Sequence, residues 1–199
     1  MRCAPSSTTM QTSLASFKLY IDNKDVDGLT KYYYDELLEL NDHLLHQDRL
    51  AGSLQNIMLD EVKSILLYKG VIAIQHGIDL SIEATEPIEG LGVSSAIVCQ
   101  ILGILLDNAI EAAVETDEKQ LRIAVVKNQG SKSFIVKNSW KRQEIPLDKL
   151  FELGFTTKEK GSGIGLSRVR GYTESIKRLY LETVLADESF TQILTVKDG

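Results

Sequence analysis

Apolar residues recur every three to four positions along several stretches of the chain and alternate along five others. Leu29, Tyr33, Leu37, Leu40, Leu44 and Leu54 carry a helical period from Asp27 or Gly28 to about Gln55. Before it, residues 12–22 hold Leu14, Phe17, Leu19 and Ile21 and close a shorter helix, with a turn at Asn23-Lys24-Asp25. Residues 60–76 repeat the helical pattern through Val62, Ile65, Leu66, Val71, Ile72 and Ile74, with Gly77 as a left-handed stop. A further helix runs from a cap at Ser94 or Ser95 to about Glu115 and carries Ile101, Ile104, Leu105, Ala109 and Ala112. Residues 148–153 read as a short helix with Asp148 near its start, and residues 166–177 as a last one through Leu166, Val169, Tyr172 and Ile176. Residues 80–84, 121–126, 134–136, 179–184 and 190–196 alternate as strands. Turns at Asn128-Gln129-Gly130 and Ala186-Asp187-Glu188-Ser189 join two pairs of them into hairpins. From residue 56 onward, three main helices, besides the short one, and about five strands predict an α+β fold, a two-layer α/β sandwich, preceded by a helical hairpin in residues 12–55.

Composition narrows this reading. With 199 residues, 43% of them hydrophobic, the chain can bury one core and carry an accessory helical piece. A net charge of −6 argues against a general nucleic-acid surface. Cys3 and Cys99 imply no disulfide framework, and Cys99 sits among Ile97, Val98 and Ile101 as a buried, inert thiol. No apolar run of transmembrane length and no signal peptide is evident. Residues 1–11 are small and polar and read as disordered or as an appended segment.

Two stretches carry candidate chemistry. Gly161-Ser162-Gly163-Ile164-Gly165-Leu166 places three glycines at alternate positions ahead of a helix. Such a turn can bring main-chain N–H groups close to a phosphate at a helix N-terminus; by itself it is also simply a flexible turn. The spacing is not that of a Walker loop, and the polar Phe155–Lys160 segment before it is not the strand a dinucleotide fingerprint requires. The second stretch is Ile101–Ala113. Asn108 and Glu111 lie three apart in an otherwise apolar helix, and Asp107 and Glu111 four apart. An amide oxygen beside carboxylates suits Mg²⁺, which takes few protein ligands plus substrate phosphates; the alternative is a helix edge facing water.

Together these segments resemble the sensor histidine kinases. Leu106-Asp107-Asn108-Ala109-Ile110-Glu111-Ala112 is similar to their N box, Leu150–Lys158 with Phe155-Thr156-Thr157-Lys158 to their F box, and Gly161–Leu166 to their second G box, in the same order and spacing. The detailed form looks most like the peptide-pheromone receptor kinases of Gram-positive bacteria, the AgrC/ComD-like group. The likeness covers roughly residues 12–199, with specific motifs from Leu106 onward. It implies the GHKL (Bergerat) ATP-binding fold, ATP and Mg²⁺ as ligands, a homodimer formed through residues 12–55, a response regulator as partner, and an upstream membrane sensor domain. This chain would then lie at the cytoplasmic face of the membrane.

The resemblance also implies roles. Asn108 would hold Mg²⁺ against the phosphates; Gly161, Gly163 and Gly165 would shape a lid, with Lys158 and Lys160 neutralising charge. Asn138, at the end of the matching strand, would read the base in place of the aspartate of a first G box, which this chain lacks. Ile104 stands where hydrolytic relatives carry a glutamate base, so efficient hydrolysis of ATP by water is not expected. Glu111, where many relatives carry lysine, would orient Asn108 or simply be solvated. The phosphoacceptor histidine expected near Pro5-Ser6-Ser7 is absent. His43 and His46 read as solvated helix residues, His76 as a partner for the helix dipole and Trp140 as a packing residue. Two other readings remain: a non-catalytic dimerisation module with the same fold, and a serine kinase of the anti-sigma type, against which the long N-terminal hairpin argues.

Overall fold

The computed structural model describes residues 18–32, 50, 52–141, 146–152, 154–155 and 163–199. The chain divides into two compact units, residues 1–45 and residues 46–199. In the first unit, residues 18–22 are helical and a turn at Asn23-Lys24 leads into α1 (Val26–Tyr32). Asp25 Oδ1 accepts the Gly28 N–H at 2.8 Å. That carboxylate satisfies an orphan donor of the first turn, so the helix begins at Val26 rather than at Asp27 or Gly28. Residues 1–11, His43, His46 and the middle of the expected hairpin lie outside the described residues.

The second unit contains α2 (Asp60–Gln75), β1 (Asp79–Ala84), α3 (Ser95–Val114), β2 (Gln120–Asn128) and β3 (Ser131–Ser139). A 3₁₀ turn (Leu147–Phe151), α4 (Gly165–Ser175), β4 (Leu179–Leu185) and β5 (Ser189–Lys197) follow. The strands form one sheet in the order β1-β2-β3-β5-β4. β1 runs parallel to β2, and every other pair is antiparallel. A parallel pair needs a crossover, and α3 supplies it between β1 and β2. Leu121, Ile123 and Val125 of β2, Phe134 and Val136 of β3, and Leu194 and Val196 of β5 alternate inward and are buried. α3 packs against β2 and β3, α2 against β1, and α4 against β4, giving the two-layer α+β architecture.

α3 is the central element. Val98, Ile101, Leu102, Leu105, Leu106, Ala109, Ile110 and Ala113 are all buried. By length and composition this helix could cross a membrane, with a mean hydropathy of 1.7, so the expectation of no apolar run of that length is corrected. Its apolar character reflects burial by the sheet on one side and by α2 and α4 on others. Leu50 and Leu54 belong to the same core, and Leu54 is fully buried. The segment after them is tied to the loop beyond β1: Met58 N–H donates to Ile88 O at 2.9 Å, Ile88 N–H to Asn56 O at 2.8 Å, and Asn56 Nδ2 to Ala84 O at 2.7 Å.

The short helix expected at residues 148–153 is a 3₁₀ turn shifted toward the N-terminus. Pro146 occupies its cap position with φ −57, so Asp148 lies inside the turn rather than at its start. Gly154, at φ +82, lies beyond its end.

Candidate nucleotide site

α3 lines up the pieces that the sequence marks. At Ile104 it meets the start of α4: a Cβ on Gly165 would lie 3.1 Å from Ile104 Cγ2. The third glycine of the run therefore lets α4 begin directly against α3, one turn before Asn108. Tyr172 Oη donates to Gln100 Oε1 and ties the same two helices. Asn108 is half-buried, with its amide nitrogen enclosed. Two turns further on, Thr116 Oγ1 and Ser139 Oγ are 2.8 Å apart, and Gln120 N–H donates to Ser139 Oγ at 2.9 Å. These bonds fasten the end of α3 to the end of β3 and so position Asn138. From Ile104 to Val114, the last residue of α3, is about 15 Å along the helix axis at ~1.5 Å per residue.

Asn138 is the penultimate residue of β3 and is 2% exposed. Its Nδ2 donates to Ser139 O at 2.8 Å. Only the NH₂ end of an amide can pair with a carbonyl, so this bond fixes the amide's orientation and leaves Oδ1 as an acceptor on the inward face.

The two glycine-bearing segments are joined by their backbones. Gly154 N–H donates to Gly163 O at 3.1 Å. Gly163 takes φ +63, and a Cβ there would fall 2.6 Å from Phe155 O and 2.7 Å from Phe155 N. No L side chain fits, so the glycine is demanded twice, by conformation and by close approach. Lys158, Lys160 and Gly161 lie outside the described residues.

Asp107 Oδ1 accepts from Lys69 Nζ at 2.5 Å, which commits it to the seam with α2 rather than to a cation. Glu111 is exposed. Among the described residues no group of three metal-ligating side chains occurs. Mg²⁺ held by Asn108 and substrate phosphates would need none, because that ion keeps most of its ligands from water and substrate.

Trp140 packs. Its Nε1 donates to Ala186 O at 2.9 Å and its ring tilts against Phe190 with centroids 5.5 Å apart, so it clamps the β4–β5 turn. Cys99 is half-buried; burial first, and the Glu61 carboxylate second, push its thiol above the ordinary range, so it stays protonated and inert.

Two residues at the inward face went unnoticed in the sequence. Gln192 in β5 is 2% exposed, and its Nε2 has no hydrogen-bond partner among the described residues. Thr183, its register partner in β4, has a buried hydroxyl in the same condition. An unpaired buried donor costs about 1–3 kcal/mol, which makes such a pair uncommon in an ordinary core. The available signal was Gln192 itself, which interrupts the alternation of Phe190, Leu194 and Val196.

The GHKL domain family matches residues 94–197, from the cap of α3 to the last residue of β5. The chain belongs to the GHKL family. Solved structures carry the same GHKL fold. A nucleotide-free catalytic domain of histidine kinase ThkA is 25% identical over 70% of this chain and 92% of that one, with a TM-score of 0.55. Full-length ShkA in complex with AMPPNP superposes at TM-score 0.57 and 17% identity, over 81% of this chain and 36% of that one. Histidine kinase AdeS of Acinetobacter baumannii is similar over 98% of both chains, at 16% identity and TM-score 0.54. No curated protein matches the chain. The GHKL match includes Asn108, Asn138, Gly163, Gly165 and Gln192.

Proposed function

We propose that this GHKL chain is the ATP-binding catalytic portion of a sensor histidine kinase of the peptide-pheromone receptor group. It would transfer the ATP γ-phosphate to a histidine of a dimerisation domain and on to a response regulator. The observation that carries this reading is the alignment of three features along α3: the Gly163–Gly165 loop, Asn108 and Asn138. Their order suits a nucleotide lying lengthwise, with phosphates beside the middle of the helix and the base at its C-terminal end.

The residues fit such a ligand. Asn138 Oδ1, fixed as an acceptor, suits the amino group of adenine. Asn108 would hold Mg²⁺, which when bound neutralises phosphate charge. Lys158 and the N–H groups around Gly161, Gly163 and Gly165 would cradle the phosphates. Ile104, packed by Gly165, offers no base to activate water, so the phosphoryl group is kept for an imidazole nitrogen, with ADP leaving. Residues 12–55 would dimerise, an upstream membrane sensor domain would supply the signal, and the chain would work at the cytoplasmic face.

Calorimetric titration with a non-hydrolysable ATP analogue, with and without Mg²⁺, tests the site. Saturable binding strengthened by Mg²⁺ is expected, and Asn108→Ala should abolish the Mg²⁺ dependence. Retained, Mg²⁺-strengthened binding by that variant would remove Asn108 from the site. The missing first G box favours a second reading, a non-catalytic module. Phosphotransfer from ATP to a histidine-bearing partner mixed with this chain separates the two.

A further inference from the structure

The nucleotide reading leaves one buried group unused. Gln192 sits on the inward face of β5 between Phe190 and Leu194, and its Nε2 finds no partner among the described residues. Thr183 lies beside it across the β4–β5 ladder with its own buried hydroxyl unpartnered. Two such groups side by side belong with a ligand rather than with an apolar core.

The sheet register says which ligand edge they face. Asn138 pairs with Phe190, and Gln192 pairs with Val136. Asn138 and Gln192 are therefore diagonal neighbours on one face, roughly 7–8 Å apart and within reach of two amide side chains. Asn138 has its donor end turned to Ser139 O and presents an acceptor. Gln192 presents a donor. An acceptor next to a donor matches a ring edge that offers an amino group beside a ring nitrogen. Adenine has that edge. Guanine has a carbonyl oxygen where adenine has the amino group, which would set two acceptors against each other at Asn138.

We propose that Gln192 donates the second hydrogen bond to the base and, with Asn138, makes this site select adenine over guanine nucleotides. Thr183 is a positioning residue: unbonded to Gln192 in this structure, its hydroxyl lies across the ladder and would accept the other Nε2 hydrogen once the base turns that amide. The inference rests on the nucleotide reading above and adds to it the residue that sets base specificity.

The test is titration of the full chain with paired ATP and GTP analogues, for wild type, Gln192→Leu, Gln192→Glu and Thr183→Val, with a thermal melt of each. Wild type should prefer the ATP analogue. Gln192→Leu should weaken it about tenfold, and Gln192→Glu at least as much because a carboxylate offers no donor. Binding of the GTP analogue should change little, so selectivity falls. Leucine continues the apolar alternation and should keep or raise the melting temperature. Thr183→Val should cost about threefold for the ATP analogue alone, and decides the matter if a Gln192 variant fails to fold. Well-folded variants with unaltered affinity and selectivity would overturn the assignment and leave the nucleotide site standing. A wild-type chain that binds neither analogue at millimolar concentration would overturn the nucleotide reading and the assignment with it.

Discussion

Gly163 and Gly165 share a motif but answer to different constraints. Gly163 holds φ +63 with the Phe155 backbone against the place of a Cβ, and nothing there can yield without breaking the Gly154–Gly163 bond. Gly165 is close only to the Cγ2 methyl of Ile104, at 3.1 Å. Strain of about 1–3 kcal/mol is expected for Gly163→Ala, which would loosen the join between the two loop segments. Nucleotide affinity should accordingly fall at least about fivefold in Gly163→Ala. Gly165→Ala should lose less, since its overlap is with one side chain at 3.1 Å and its backbone is not in the left-handed region. Calorimetric titration of both variants checks the order; an equal loss would mean that helix packing, not backbone conformation, limits the loop.

At the scale of elements, α3 does two jobs with different faces. Its apolar face holds the sheet and the other helices together, and Asn108 stands on the stripe that follows Ile104 toward the C-terminus. Asp107, its sequence neighbour, points to α2 and pairs with Lys69. With the Asp107 side chain 53% exposed, that pair is worth less than ~1 kcal/mol. Asp107→Asn is therefore expected to leave nucleotide affinity within about twofold of wild type. A large loss of Mg²⁺-dependent binding in Asp107→Asn would instead put its carboxylate at the metal.

At the scale of the molecule, the larger compact unit begins before the segment that the periodicity treats as its start. Leu50 and Leu54 are core residues of the unit spanning 46–199, although the helical period counts Leu54 with the hairpin. A chain trimmed to residues 46–199 should keep the melting behaviour of this unit. One trimmed to residues 56–199 loses both leucines, at about 2–5 kcal/mol for each buried leucine removed. Denaturant unfolding of the two trimmed chains measures the difference. Equal stability would show that these leucines are not part of the working core.

Helix and strand identities in the larger unit follow from period alone, because one-sided burial writes a 3.6 or a 2.0 repeat into the chain. Glycine stops, hairpin turns, the two-layer architecture and the candidate roles of Asn108 and the glycine run were legible for that reason, or through motif likeness. What remained hidden depends on partners distant in sequence. Only the sheet register sets Gln192 diagonal to Asn138, and only the bond to Ser139 O turns the Asn138 amide so that it accepts. Only the packing of α2 on α3 shows that Asp107 serves Lys69. The apolar content of α3 was visible along the chain, but its assignment to the core rather than to a membrane required the sheet and helices that cover it. Local pattern is a property of one segment and its two sides. Donor–acceptor pairing belongs to groups brought together by the fold.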